Sequence, residues 1–272
     1  MFLHTFLPNP ILAHFGRLTI HWYGLFLALG ALAGYIVFIK LGRRYGFKTI
    51  ELENLFIVTI LVGLIGARLY HVFNEWSYYT QHPREILSIW NGGLAIHGAL
   101  IAGIIVIILF ARMKKRSFWL IADIAAPAVV IGQAIGRWGN YFNQELFGKP
   151  TNLPWGIPID QLNRPFEYFN NTYFHPTFFY EFIGSLIVFG LLLFLHRRRL
   201  TASQKDSNAI AKTAGIIAVV YLITESLVRM GTESLRIDRV PLIAGIRLPL
   251  LVSALIAITA AAILFFRLRK RR

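Results

Sequence analysis

Thirteen consecutive residues concentrate the chemistry-bearing side chains of this sequence: Gly136-Arg137-Trp138-Gly139-Asn140-Tyr141-Phe142-Asn143-Gln144-Glu145-Leu146-Phe147-Gly148. An arginine, two asparagines and a glutamate, spaced by small and aromatic residues, offer donors and an acceptor that can gather around an anion. The bland alternative is a very polar helix end. A second group lies at Glu225, Arg229 and Glu233, at i, i+4 and i+8 and so on one helix face, with Arg236 three residues further. By spacing alone that row reads equally well as a self-paired charge ladder. His97 sits among glycines in Gly92-Gly93-Leu94-Ala95-Ile96-His97-Gly98. A lone histidine at a membrane interface is more often structural, but its flanking glycines favour a functional role. His175-Pro176-Thr177 reads as a turn or cap at a helix start, and Arg68 either snorkels outward or pairs with an acid of the bundle. No spaced cluster of His, Asp and Glu looks like a metal site, and there is no phosphate loop or serine nucleophile elbow. With no cysteine in the chain, disulfides, thiolate metal sites and a cysteine nucleophile on the protein itself are excluded.

These residues must be positioned inside a bilayer. The 272 residues are 56% hydrophobic with a mean hydropathy of +0.56, more apolar than a soluble domain can keep out of water. The net charge of +15 would suit a nucleic-acid binder if the basic residues were spread or patched. Instead they form short clusters between apolar segments, the pattern of membrane topology, so no nucleic-acid partner is expected. The first 16 residues carry Pro8 and Pro10 and no early basic cluster, unlike a secretory signal peptide, and read as an exposed lead-in lying on the membrane. Seven apolar segments follow at about 19–39, 55–73, 93–111, 118–136, 178–195, 213–230 and 248–266, near the ~20 residues a bilayer core requires. The expected fold is all-α: a polytopic membrane helical bundle of about seven transmembrane helices in a single integral-membrane domain, 1–272. Small-residue pairs such as Gly30 with Gly34 and Gly132 with Gly136 would let helices approach closely.

Lys40, Arg43, Arg44 and Lys48 follow the first segment; Arg112, Lys114, Lys115 and Arg116 the third; Arg197, Arg198, Arg199, Lys205 and Lys212 the fifth; Arg267, Arg269, Lys270, Arg271 and Arg272 the seventh. These are 18 of the 28 basic residues, and the positive-inside rule assigns their side to the cytoplasm. The N-terminus and the loop 139–176 are then extracytoplasmic and the C-terminus cytoplasmic, its basic run anchoring to anionic lipid. Tyr23, Arg68, His97, Arg137, Asn140, Asn143, Glu145, His175, Glu181, Glu225, Arg229 and Glu233 all fall near the outer ends of their segments, with Asp123 the exception near an inner end. A charge inside the membrane costs about 2.5 to 3.5 kcal/mol on insertion scales, so several at one depth mark a wet cavity or an anion site.

Gly136-Arg137-x-Gly139-Asn140-x-x-Asn143-x-Glu145-x-x-Gly148 resembles the signature of the bacterial prolipoprotein diacylglyceryl transferases. Four further pieces resemble that family in order: His21-Trp22-Tyr23-Gly24-Leu25, Gly92 to Gly98, His175-Pro176-Thr177 with Tyr180-Glu181, and Arg229-x-x-x-Glu233-x-x-Arg236. Glu225 departs from it, standing where the family often has tyrosine, and no tyrosine role is carried onto that position.

The resemblance implies a bacterial cytoplasmic (inner) membrane enzyme that moves the diacylglyceryl group of phosphatidylglycerol onto the lipobox cysteine of a preprolipoprotein. It forms a thioether and releases glycerol phosphate, the first step of lipoprotein maturation, with no cofactor or metal. It also implies roles. Arg137 and Arg229 would stabilise the leaving phosphate, and His97 would assist deprotonation of the acceptor thiol, since histidine titrates near neutrality. Asn140, Asn143, Glu145, Gly148 and Glu233 would hold the head group or orient an arginine, Glu145 holding Arg137 and Glu233 holding Arg229, and Tyr23 would line the head-group pocket. The alternatives are an anionic-solute transporter, using the same arginines for selectivity, and another lipid-donor transferase with a different acceptor. A transporter should place paired polar residues near mid-membrane and often shows internal repeats; here polarity gathers toward one end and no repeat is found.

Overall fold

The computed structural model describes residues 2–16, 18–206 and 208–269; Lys270, Arg271 and Arg272 of the expected lipid anchor lie outside them. Among the described residues, seven helices are long and apolar enough to cross a bilayer. They are α1 (Trp22–Arg44), α2 (Thr49–Asn74), α3 (Ile96–Met113), α4 (Phe118–Phe142), α5 (Thr177–Ser203), α6 (Ile216–Glu233, preceded by a short helix over Ala209–Thr213) and α7 (Leu248–Arg269). At ~1.5 Å per residue even the shortest uninterrupted helices, of 18 residues, approach the ~30 Å apolar thickness of a membrane. The remaining regular structure among the described residues is three two-stranded sheets and a few short turns of helix.

Helix ends follow local chemistry. Several helices outrun the apolar segments: α1 continues through Arg43 and Arg44, and α5 through Arg197, Arg198 and Arg199. Arginine is a good helix former whose long stem lets the charge reach water. α3 begins at Ile96 rather than at 93, because Gly92 and Gly93 hold φ of +86° and +73°, a left-handed backbone that a right-handed helix cannot contain. α4 runs past 136 to Phe142, so the first half of the polar signature is its last two turns.

The chain forms two compact units, residues 1–37 with 125–272, and residues 38–124. In the first, α1 and α4 cross in antiparallel contact. A Cβ added at Gly30 would lie 2.9 Å from the carbonyl oxygen of Gly132, and one at Gly34 would lie 2.9 Å from that of Ala128. Of the small-residue pairs, Gly30, Gly34 and Gly132 lie at this close approach, whereas Gly136 has open space around it. Ala126 and Val130 of α4 pack with Val188 and Leu192 of α5 and Ile217 of α6.

The N-terminal segment, expected as an exposed lead-in, is docked through several of its side chains. The hairpin Ile11–Phe15 with Leu18–His21 leads into α1. Leu3 and Phe6 pack on an aromatic and aliphatic cluster of Tyr141, Phe147, Ile157, Ile159, Phe174 and Phe178. His4 Nδ1 stands 2.8 Å from the carbonyl oxygen of Gly156 and its ring stacks on Tyr173. Burying these side chains removes apolar area from water at ~25 cal/mol per Å², and the segment is the lid of that small core.

In the second unit α2 and α3 run antiparallel along a glycine seam. A Cβ at Gly66 would lie 2.5 Å from Ala102 Cβ and 2.7 Å from the carbonyl oxygen of Gly98, and one at Gly98 would collide with Gly66. With no hydrophobic drive between helices in lipid, such close backbone packing supplies much of the attraction. Gly98→Ala should accordingly lower the melting temperature in detergent, the overpacking costing about 1–3 kcal/mol. Gly190→Ala, on an exposed stretch of α5 with nothing within 4 Å of the added Cβ, should leave it unchanged or raise it. Equal melting temperatures for the two variants would contradict the seam.

Candidate active site

The first unit assembles its charged residues around one buried carboxylate. Glu181, on α5 one turn beyond Thr177, is 3% exposed. Its Oε1 accepts hydrogen bonds from Arg229 Nη1 on α6 and from the Thr232 hydroxyl, each at 2.9 Å, with Arg236 Nη1 at 3.5 Å. Its Oε2 lies 2.7 Å from Arg137 Nε on α4. That contact pairs the charges, although it is too far off line to count as a hydrogen bond.

A second carboxylate, Glu233, is 1% exposed and lies 2.9 Å from Arg229 Nη2, 2.8 Å from Arg247 Nε and 3.9 Å from Arg236 Nε. Asp238 closes the group, 2.8 Å from Arg236 Nε and 3.3 Å from Arg247 Nη2. Arg247 returns to the site on a two-residue hairpin, Leu242–Ile243 with Ile246–Arg247. The turn residues Ala244 and Gly245 have φ of +50° and +77°, both positive as a type I′ turn requires.

Leaving aside Glu225, four guanidiniums here face three carboxylates, which leaves one positive charge. Glu181 and Glu233 are sealed, but the side chains of Arg137 and Arg229 stay 23% and 27% exposed, against 2% for Arg236. Arg137 spends only Nε on protein, so among the described residues its two terminal nitrogens have no protein partner. An accessible guanidinium fork with net positive surroundings is suited to a phosphate.

The signature residues beyond α4 form a tight turn. Gln144 and Leu146 both take left-handed backbone, φ +52° and +59°, an uncommon state for residues with side chains. Their kinks return Glu145 to the helix end. Its amide donates to the Asn140 carbonyl at 3.0 Å, and Asn140 Nδ2 donates to its Oε1 at 2.8 Å with Asn143 Nδ2 at 3.4 Å. Gln144 is buried and bridges segments, donating to the Pro8 carbonyl at 2.8 Å and accepting the Asp160 amide at 2.5 Å. Glycine is required at 148, where a Cβ would lie 2.8 Å from His175 Cβ, and the Gly148 amide donates to the His175 carbonyl at 2.9 Å. Thr177 donates its hydroxyl to the Leu146 carbonyl, so His175-Pro176-Thr177 clamps the signature turn as well as opening α5. His175 Nδ1 stands 3.1 Å from the Tyr180 hydroxyl. Burial, with the Lys149 charge second, pushes the His175 imidazole below the ordinary histidine range. Tyr23 lies flat on α4, possible only because position 139 is glycine: a Cβ there would be 2.6 Å from its ring. Glu145 and Arg137 are the charges it feels most.

The structure thus brings Arg137, Arg229 and Glu233 into one network and places Tyr23, Asn140, Asn143, Glu145 and Gly148 around the end of α4. One expected pairing is corrected. Arg137 is held by Glu181, not by Glu145, whose carboxylate is taken by the two asparagines. The charge row of α6 is only partly self-paired, since Arg229 reaches Glu181 and Glu225 accepts from Ser185 of α5 at 3.1 Å.

His97 belongs to the second unit, exposed in the first turn of α3, its ring 5.8 Å from that of Tyr70. There Arg68 is spent entirely on backbone. Its Nε donates to Ile86 at 2.8 Å, Nη1 to Gly92 at 2.8 Å and to Gly93 at 3.1 Å, and Nη2 to Glu85 at 2.5 Å. It is a clamp that shapes the lead into α3, and a Cβ at Gly93 would strike it.

The profile of the prolipoprotein diacylglyceryl transferase family matches residues 10–266. The chain belongs to this family. Among its relatives, phosphatidylglycerol–prolipoprotein diacylglyceryl transferases from a Nostoc species and from Parasynechococcus marenigrum are each 42% identical to it. The alignments cover 97% of this chain and 91% and 96% of those proteins. The Synechocystis protein of the same name is 41% identical over 93% of this chain and 85% of its own. As a member of the prolipoprotein diacylglyceryl transferase family, the chain is a multi-pass membrane transferase and not a transporter.

Proposed function

We propose that this chain transfers the diacylglyceryl group of phosphatidylglycerol to the lipobox cysteine thiol of a preprolipoprotein, forming a thioether and releasing glycerol phosphate. The observation that carries the reading is the Glu181-anchored pair of arginines. Arg137 and Arg229 are fixed through one carboxylate and keep free donors on their accessible edges. As the thiolate attacks the glyceryl carbon, the carbon–oxygen bond to phosphate breaks and the departing phosphate gains charge. Guanidiniums already in place stabilise that charge more in the transition state than in the ground state. Glu233 orients Arg229. Asn140, Asn143 and Glu145 hold the glycerol hydroxyls of the head group, Tyr23 lines its pocket, and Gly148 keeps the signature turn closed on His175.

Purified protein incubated with phosphatidylglycerol and a lipobox peptide should yield a peptide heavier by one diacylglyceryl group, released by neither base nor thiol reagents. Arg137→Lys and Arg229→Lys keep the charge but lose the fork, and turnover should fall by about 10² to 10³-fold with little change in melting temperature. Near-wild-type turnover in both would remove the phosphate role. Arg236, sealed from solvent, and Arg68, saturated by carbonyls, do not offer a replacement site.

His97 takes the thiol proton in this scheme. A free thiol near pKa 8.5 is only a few per cent ionised at neutral pH, so a base matters most there. His97→Asn should therefore cost more turnover at pH 6 than at pH 9, where the thiol ionises unaided. A deficit constant across that range would make the histidine a positioning group.

The basic clusters orient the molecule with its N-terminus and the 139–176 loop extracytoplasmic and its C-terminus cytoplasmic, in the bacterial inner membrane. Because the chain has no cysteine, single cysteines at the exposed positions Asn171 and Lys114 report the orientation directly. A membrane-impermeant thiol reagent applied to spheroplasts should label the Asn171→Cys variant and spare Lys114→Cys; the opposite pattern reverses the topology.

A further inference from the structure

A ladder of polar side chains descends from the arginine pair along three helices of the first unit. On α4, Gln133 lies one turn before Arg137. On α5, Ser185 lies one turn after Glu181. On α6, Tyr221 and Glu225 lie two turns and one turn before Arg229. The rungs are joined across helices: Ser185 donates to Glu225 Oε1 at 3.1 Å, and the Tyr221 hydroxyl donates to Gln133 Oε1 at 3.1 Å.

Glu225 is chemically unlike the other acids of the site. Glu181, Glu233 and Asp238 each lie within 3 Å of a guanidinium, whereas no arginine or lysine lies within ion-pairing distance of Glu225 among the described residues. Among the described residues, four buried side-chain atoms have no hydrogen-bond partner: Arg137 Nε, Glu233 Oε2, Arg247 Nη2 and Glu225 Oε2. The first three have an opposite charge beside them. Only Glu225 Oε2 has neither a hydrogen bond nor an ion partner. The charges that act on it are those of Arg137, Glu181 and Arg229, the groups that surround the phosphate in the reading above.

Charge accounting gives this orphan oxygen a task. The four guanidiniums and three carboxylates leave one positive charge, which balances the single negative charge of a phosphodiester. The departing phosphate monoester carries a second negative charge that nothing in the network offsets. One proton would offset it, and Glu225 is the one acid of the group free of a cation and so free to carry that proton.

We propose that Glu225 is the general acid of the transfer, protonating the phosphate oxygen as it leaves the glyceryl carbon. The proposal rests on the transferase reading above. The sulfur–carbon bond forms as the carbon–oxygen bond breaks, and the electron pair of the latter goes to the phosphate oxygen. That oxygen takes the carboxyl proton of Glu225, so glycerol phosphate leaves as a monoanion. The thiol proton goes to His97 and from it to water, Glu225 regains a proton from water, and each turnover is proton-neutral. Ser185 orients the carboxyl by donating to Oε1, which leaves Oε2 without a hydrogen-bond partner and free to carry the proton.

The test is the pH–rate profile of Glu225→Gln, a substitution that keeps the acceptor for Ser185 and removes the proton. Wild-type protein in phosphatidylcholine micelles, with phosphatidylglycerol and lipobox peptide, should give a bell-shaped kcat profile. If wild-type protein makes no thioether, the transferase reading itself fails. With wild type active, Glu225→Gln should lower kcat by at least about 100-fold, leave the KM for phosphatidylglycerol within about threefold, and lose the alkaline limb. A phosphatidylglycerol analogue with sulfur as the bridging atom between glyceryl carbon and phosphorus has a leaving group that needs less protonation. On it the deficit of Glu225→Gln should shrink to about tenfold or less. Should Glu225→Gln not fold, Glu225→Asp, which retains a proton on a shorter arm, should turn over slowly with its alkaline limb present. Wild-type kcat in Glu225→Gln, a retained alkaline limb, an equal deficit on both donors, or an alkaline limb missing from Glu225→Asp overturns the proposal.

Discussion

The site depends on burying the Glu181 carboxylate among arginines of two helices. An isolated carboxylate moved out of water costs several kcal/mol, and removing one partner of a buried pair typically costs about 3–5 kcal/mol. Glu181 is tolerable at 3% exposure only because Arg137 of α4, Arg229 of α6 and the Thr232 hydroxyl converge on its two oxygens. The same interaction fixes how α4, α5 and α6 are rotated about their axes. A turn of any one of them by a single residue, ~100°, would withdraw its charge from the centre. Helix packing and site geometry are one constraint here, since apolar contacts such as Val130 with Leu192 and Ile217 hold the helices together without specifying rotation as sharply.

Much of this was legible in the sequence, and the rest was not, for identifiable reasons. The spanning helices are long apolar runs, and a 3.6-residue period puts Glu225, Arg229 and Glu233 on one face whatever surrounds them. The signature was recognisable because its glycines at 139 and 148 answer contacts with Tyr23 and His175 that no other residue allows. What a one-dimensional reading lacks is the azimuth of each helix. Glu145 is eight residues from Arg137 and looks like its partner, but the left-handed residues Gln144 and Leu146 turn it toward Asn140 instead. Glu181, 44 positions further along, takes its place through a contact between helices. The Arg247 arm carried one legible sign, the glycine of Ala244-Gly245 between Leu242-Ile243 and Ile246, which suits a hairpin turn. The fate of Arg68 carried none, because backbone carbonyls as partners leave no trace in side-chain spacing.

The backbone of the signature turn shows where stability is given up for placement. Two non-glycine residues at positive φ within three positions cost of order 1 kcal/mol or more each, and they persist because the surroundings over-determine them. Gln144 is bonded to Pro8 and Asp160, Leu146 is held by Thr177, and Gly148 is fixed between His175 and the strand-like contact with Arg236. These ties come from four parts of the first unit: the docked N-terminus at Pro8, the loop at Asp160, the His175–Thr177 lead into α5, and Arg236 beyond α6. That explains why residues before α1, which contribute no chemistry, are packed so closely against the loop.

The distribution of exposure across the network is the reverse of an ordinary surface salt bridge, and this is what makes it suited to catalysis. Glu181 and Glu233 are sealed while Arg137 and Arg229 are partly open, so these two carboxylates act as internal counter-charges while the outward edges of the two guanidiniums stay unoccupied. Arginine is the side chain that permits this, because its five N–H groups point in fixed directions. One edge can bind Glu181 while another is held rigidly toward a ligand. A lysine ammonium bonded to the same carboxylate would direct its remaining protons by rotation and not by structure. The arrangement therefore meets a developing negative charge with donors that need no reorganisation, the condition under which electrostatic stabilisation lowers a barrier most. Water could not do this at the same depth, since it would have to reorient around the new charge after it formed.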